Sequence, residues 1–189
     1  MKSNLKTLAI ALLVTISATV AAQTKQVDAS KSSIVWVGKK ITGQHDGTVG
    51  LKSGALNFKK DKLKGGTFTV DMNALIVTDI AAGKGKEDLE GHLKADDFFG
   101  TTTFPTANLV FKKIADKGNG LYAVTGDLTI KGITMPITFD MATTANTAKT
   151  TLKIDRTQYG IKYKSGNFFK NLGDKTISDI FELQVALAF

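Results

Sequence analysis

The stretch Phe181-Glu182-Leu183-Gln184-Val185-Ala186-Leu187-Ala188-Phe189 alternates with period two. Phe181, Leu183, Val185, Leu187 and Phe189 share one face, with Glu182 and Gln184 on the other. Successive side chains of a strand point to opposite faces, so this is the pattern of a strand with one face in a core. The same rhythm recurs upstream. Leu152 and Ile154 alternate with Lys153 and Asp155, and Ile133, Ile137, Phe139 and Met141 oppose Thr134, Thr138 and Asp140. Val124, Gly126, Leu128 and Ile130 fall on one side of residues 121–130, with Tyr122, Thr125, Asp127 and Thr129 elsewhere. Leu109 and Phe111 alternate in the same way with Lys112, and Phe68, Val70 and Met72 alternate with Thr67, Thr69 and Asp71.

Asp46-Gly47, Gly65-Gly66, Asn119-Gly120 and Lys131-Gly132 separate these runs and read as tight connections. Short strands spaced by turns indicate an all-β chain, a meandering antiparallel barrel or sandwich. Roughly eight strands are expected, the size at which a barrel encloses one small ligand. One segment departs from the rhythm: residues 87–94 are charged, with Leu89 and Leu93 four apart and His92 beside them. That predicts one short amphipathic helix over a barrel mouth or a sheet edge.

The amino terminus predicts export. Lys2 and Lys6 precede an uncharged run over residues 8–20, then Ala21 and Ala22. Basic start, apolar middle and small-residue exit make a secretory signal peptide, with residues 1–22 removed before Gln23. The run is short of the ~20 apolar residues of a membrane span. Residues 23–189 then form one domain in the periplasm. The chain has no cysteine, which excludes a thiol nucleophile, Cys-ligated zinc and disulfide support. Its net charge of +8 is spread along the chain in short pairs such as Lys39-Lys40, Lys59-Lys60 and Lys112-Lys113. Dispersed lysines indicate a solvated surface, not a nucleic-acid partner, and leave room for transient contact with anionic lipid head groups.

Residues able to carry chemistry are few. His45, before Asp46-Gly47, reads as an exposed turn residue. His92 reads either as a locally satisfied core histidine or as a polar contact to a ligand head group. No metal site is expected from two distant histidines, and the carboxylates of Glu90, Asp96 and Asp97 suit a charged helix face. No G-x-S-x-G surrounds any serine, and Gly83-Lys84-Gly85-Lys86 lacks the spacing of a phosphate loop. An enzyme is therefore not expected, nor a cofactor. Arg156, the single arginine, continues the inward Leu152 and Ile154 face. Buried there it needs a carboxylate partner or an anionic ligand group.

Gly91-His92-Leu93-Lys94-Ala95-Asp96-Asp97-Phe98-Phe99 with Phe104-Pro105-Thr106-Ala107 resembles the YceI-like, polyisoprenoid-binding family. Residues 126–137, Ser33-Ile34-Val35-Trp36 and Arg156-Thr157-Gln158-Tyr159-Gly160-Ile161 are similar to further motifs of that family. The resemblance implies a lipocalin-like barrel with a long apolar interior, holding polyisoprenoids, isoprenoid quinones or fatty-acid-type lipids as a carrier or sequestering protein. It implies no catalytic residue. Several relatives carry an Arg-Asp pair shortly before the His-Leu step, where this chain has Leu89 and Glu90, so a head-group contact through that arginine is absent.

The expected ligand site is an apolar tunnel lined by Phe68, Val70, Leu109, Phe111, Leu128, Phe139, Leu183 and Val185, with His92 and Arg156 nearer its polar end. The partner is a long-chain isoprenoid or another lipid, and homodimerisation stays open. The rival expectation is a small outer-membrane β-barrel, suggested by the terminal Phe189 but opposed by weak aromatic girdles, with one Trp and three Tyr. Sequencing the mature protein from an exporting host should give Gln23 as its first residue; a start upstream of Leu8 would remove the signal-peptide reading.

Overall fold

The computed structural model describes residues 22–189, so the expected signal peptide lies outside the described residues except for Ala22. The strands are β1 (Gln23–Gln26), β2 (Ser33–Lys40), β3 (Gly43–Lys59), β4 (Lys62–Val77), β5 (Thr106–Gly118), β6 (Leu121–Ile130), β7 (Ile133–Thr143), β8 (Thr147–Asp155) and β9 (Ile177–Ala188). The helix expected over 87–94 is α1 (Lys86–Lys94). Its first turn carries Glu87 and Asp88 and its last turn Lys94, charges that complement the helix dipole.

Every strand pairing is antiparallel, in the order β1-β3-β2-β9-β8-β7-β6-β5-β4, and a β3–β4 pairing closes the ring. Strands β2 to β9 thus form the expected closed eight-stranded antiparallel barrel. The 17-residue β3 is shared: its first part pairs with β2 and its last part with β1. Closure turns the apolar faces inward and leaves polar faces outside. Thr125 and Thr138 hydrogen-bond at 3.1 Å on the outer surface, Thr129 and Thr134 do so at 2.8 Å, and Lys117 pairs with Asp140 at 2.6 Å.

Three hairpins turn through two residues with both φ values positive: Lys60-Asp61, Asn119-Gly120 and Lys131-Gly132. Such turns match the right-handed twist of the flanking strands. The expected connections at Asn119-Gly120 and Lys131-Gly132 are therefore present. Those at Asp46-Gly47 and Gly65-Gly66 are not: both pairs lie inside strands. Their glycines answer to close approach. A methyl group on Gly47 would lie 1.9 Å from the Ile76 carbonyl oxygen and 2.6 Å from the Trp36 ring, and one on Gly66 would lie 2.7 Å from the Phe111 ring. His45 accordingly sits in β3, paired with Asp79 at 2.8 Å, and is not a turn residue. Tyr122 also departs from expectation. It is buried on the face of Val124, and its hydroxyl accepts a hydrogen bond from the Leu63 backbone at 3.3 Å.

One end of the barrel is packed shut by Leu56, Leu63 and Val124, all essentially inaccessible to solvent, with Phe58 against Phe189 at 5.9 Å between ring centres. The other end carries α1, the 95–105 segment and the 156–176 segment. Beyond Asp71, β4 has no β5 partner; there Pro105 accepts from the Met72 N–H at 3.0 Å and Glu90 of α1 accepts from the Val77 N–H at 2.8 Å. The helix thus covers a strand edge and a barrel mouth together.

Gly47→Ala should lower the urea midpoint by an amount equivalent to about 1–3 kcal/mol, because the barrier is a backbone oxygen and not a movable side chain. Gly91→Ala, where nothing lies within 4 Å of the added methyl, should be neutral or stabilising by up to about 1 kcal/mol.

Candidate functional site

Inside the barrel lies a cavity with about 1240 Å³ of space free of protein atoms, its opening included. All eight barrel strands contribute to its wall, as do Leu93 of α1 and Phe98 and Phe99 beyond it. Four lining residues have polar side chains: Asn108, Thr150, Arg156 and Ser178. Each is already engaged with protein. Asn108 Oδ1 accepts from Thr69 at 3.0 Å, Thr150 Oγ1 donates to the Asp140 carbonyl at 2.7 Å, and Ser178 Oγ donates to the Ile180 carbonyl at 2.8 Å. The chamber is therefore apolar in effect and suits an apolar chain.

Phe68, Val70, Leu109, Leu128, Phe139, Leu183, Val185 and Arg156 line this space. Two other expected site residues stand outside the lining. Phe111 packs behind it, its ring centre 5.5 Å from Phe68 and 5.8 Å from Phe139. His92 stands behind Phe98 at 5.6 Å and against Tyr163 at 4.4 Å. Its buried Nε2 has no hydrogen-bond partner among the described residues, and its Nδ1 lies 4.0 Å from Asp97. Trp36, Phe98, Phe99 and Phe181 also line the chamber and escaped the sequence reading. For Trp36 and Phe181 the signal was there, in the alternation of β2 and β9. For Phe98 and Phe99 there was none, because they lie in an irregular segment whose direction depends on distant contacts.

Arg156 is 2% exposed and follows β8 in a 3-10 turn, Arg156–Tyr159. Nε donates to the Ser178 carbonyl at 2.9 Å, Nη1 to the Ile161 carbonyl at 2.9 Å, and Nη2 to the Ile177 carbonyl at 3.1 Å and to Asp179 at 3.4 Å. One side chain thus binds both stems of the 160–176 loop to the end of β8. Burial lowers the guanidinium pKa, and Asp179 and then Asp155 oppose the shift. Burial raises the Tyr159 pKa, assisted by Asp155. Asp155 caps the turn by accepting from the Thr157 N–H at 2.9 Å. Burial pushes its pKa up, but hydrogen bonds from Thr157 and Gln158 outweigh it and hold the carboxyl below its ordinary value.

A YceI-like domain matches residues 26–189. A UPF0312 protein of Shewanella denitrificans is 39% identical over 85 residues, 45% of this chain and 42% of that protein. One from Vibrio campbellii is 33% identical over 66 residues, 35% of each. The matched stretch thus spans less than half the length of these curated relatives. The crystal structure of Burkholderia cenocepacia BcnA superposes with a TM-score of 0.66 at 24% identity, over 86% of this chain and 99% of that one. A Saccharophagus degradans polyisoprenoid binding domain, implicated in plant cell wall breakdown, gives 0.58 at 17% identity, over 90% and 98%. The Campylobacter jejuni YCEI protein gives 0.52 at 16% identity, over 100% and 99%. At these identities the three structures show the shared fold.

Arg156→Met should cost about 3–5 kcal/mol in urea unfolding, since it removes the guanidinium's hydrogen bonds to Asp179 and to three buried or half-buried carbonyls, and Arg156→Lys should recover little because an ammonium cannot span four acceptors. Asp155 adds a pH dependence. Its contribution is complete above the ordinary carboxylate pKa and is lost as pH falls through its lowered folded value. Asp155→Asn should flatten the acid limb of the stability profile.

Proposed function

Because this chain belongs to the YceI-like family, we propose that it is an exported periplasmic carrier or sequestering protein for a long apolar lipid. The ligand class is a polyisoprenoid, an isoprenoid quinone or a fatty-acid-type chain. One observation carries the reading: a chamber inside the barrel whose wall is almost wholly apolar and whose few polar lining side chains are each hydrogen-bonded to protein. Burial of each CH₂ contributes roughly 0.8 kcal/mol, so a long tail supplies most of the binding energy without polar contacts. The S. degradans neighbour, described as a polyisoprenoid binding domain, supports this ligand class.

The head group belongs at the α1 end, since the other end is packed shut. His92, although it stands behind Phe98 and outside the lining, is its proposed polar contact, because its buried Nε2 has no partner among the described residues. Arg156 shapes the wall through its hydrogen bonds to Ser178, Ile161 and Ile177 and offers a ligand at most one Nη1 hydrogen. The reading gives no residue a catalytic role. An outer-membrane barrel fits poorly, because threonines, lysines and aspartates occupy the outward face that such a barrel turns to lipid.

Native mass spectrometry of protein from its own host should reveal a lipid adduct. Leu128→Trp should fill the chamber, abolish the adduct and leave the melting temperature nearly unchanged. His92→Ala should weaken retention less than Leu128→Trp. Lipid-free wild type together with a strongly destabilised Leu128→Trp would mean that the interior is a packed core, and the carrier reading would fail.

A further inference from the structure

The 160–176 loop contains Lys162, Lys164, Lys170 and Lys175 against a single carboxylate, Asp174. Phe168 and Phe169 stand at its tip, 49% and 48% exposed. Ile41, in the turn between β2 and β3, is 66% exposed, and its N–H donates to the Thr176 carbonyl at 3.3 Å. Lys39 and Lys40 immediately precede it in sequence. Loop and turn therefore form one continuous surface, with large apolar tips set among lysines.

This surface is held in shape. Ser165 is buried, and its carbonyl accepts from the N–H groups of Phe168 at 3.1 Å and Phe169 at 2.9 Å. The Ile177 N–H donates to the Lys164 carbonyl at 3.0 Å, and Arg156 binds both stems. Lys162 Nζ stands 4.7 Å over the Phe168 ring, so charge and apolar surface are presented together. Two adjacent phenylalanines on a fixed loop cannot retreat from water, and exposed apolar groups ringed by polar ones mark an interaction site.

We propose that the 160–176 loop, with the turn at Ile41, is a docking surface for an anionic lipid bilayer. Phe168, Phe169 and Ile41 enter the head-group layer while the lysines face lipid phosphates. Charge complementarity identifies the partner, since juxtamembrane lysines are attracted to an anionic leaflet and apolar side chains insert at its boundary. The position agrees: Gly38, Ile177, Ser178 and Phe181, beside this turn and loop, line the chamber. Docking there would bring the chamber's mouth to the membrane, a consequence that rests on the lipid-carrier reading, whereas the docking itself does not.

The test is flotation of the mature protein with vesicles of phosphatidylglycerol and phosphatidylethanolamine, compared with phosphatidylcholine vesicles, at about 0.1 M and about 1 M salt. Wild type should float with the anionic vesicles only, and high salt should release it. Phe168→Ser/Phe169→Ser and Lys162→Glu/Lys170→Glu should each lower the bound fraction about tenfold. Lys59→Glu/Lys64→Glu, at the closed end, makes the same charge change and should lower it less than about twofold. Thermal melts confirm that each variant folds. Equal loss in the closed-end variant, equal binding to both vesicle types, or no binding would overturn the proposal. So would a wild-type dimer that Phe168→Ser/Phe169→Ser converts to monomer, since the patch would then join two copies. Native mass spectrometry on the same samples reads the bound lipid separately, so failure of docking and failure of the carrier reading are distinguishable.

Discussion

The β3–β4 pairing that closes the sheet is the constraint on which the rest of the molecule depends. An open sheet of these strands would expose an apolar face and two unpaired edges. Closure removes the edges and turns every apolar face toward one interior. An eight-stranded interior is just wide enough either to be filled by side chains or to hold one small ligand. At one end Leu56, Leu63, Val124, Phe58 and Phe189 do fill it. Toward the other end the strands continue past that plug and the chamber opens.

Two aromatic residues owe their positions to glycines across the sheet. Trp36 lies over Gly47 and donates from Nε1 to the Ile76 carbonyl at 3.2 Å; Phe111 lies over Gly66. A methyl group at Gly47 would meet the Trp36 ring at 2.6 Å and one at Gly66 the Phe111 ring at 2.7 Å, so neither ring could keep its place beside a larger residue. Phe111 in turn packs on Phe68 and Phe139.

The open end is organised by a single cation. Arg156 ties the end of β8 to both stems of the 160–176 loop, using backbone carbonyls as well as Asp179. A planar guanidinium suits this because its donors diverge in one plane toward several fixed acceptors. The loop it roots carries Tyr163, which packs on His92, and His92 packs on Phe98 at the chamber wall. Wall, loop and helix meet through these contacts, so the arginine acts on the mouth mainly by holding its parts together.

The period-two faces of residues 121–130, 133–141, 152–155 and 181–189 were legible in the sequence, because alternation is local and the pleat enforces it. So was α1, from its leucine spacing and charge, and so were the turns at Asn119-Gly120 and Lys131-Gly132. These suffice for a one-faced antiparallel barrel, and eight of the ten expected site residues line its interior. Tertiary structure decided which glycines turn the chain. Lys60-Asp61 turns without glycine, while Gly47 and Gly66 serve aromatic rings far away in sequence. It also decided that His92 and Phe111 stand behind the lining, that Phe98 and Phe99 belong to it, and that Arg156 binds carbonyls. Each of these depends on which backbone comes within a few ångströms from a distant part of the chain. Local periodicity records only the face a residue occupies, never the partner it meets there.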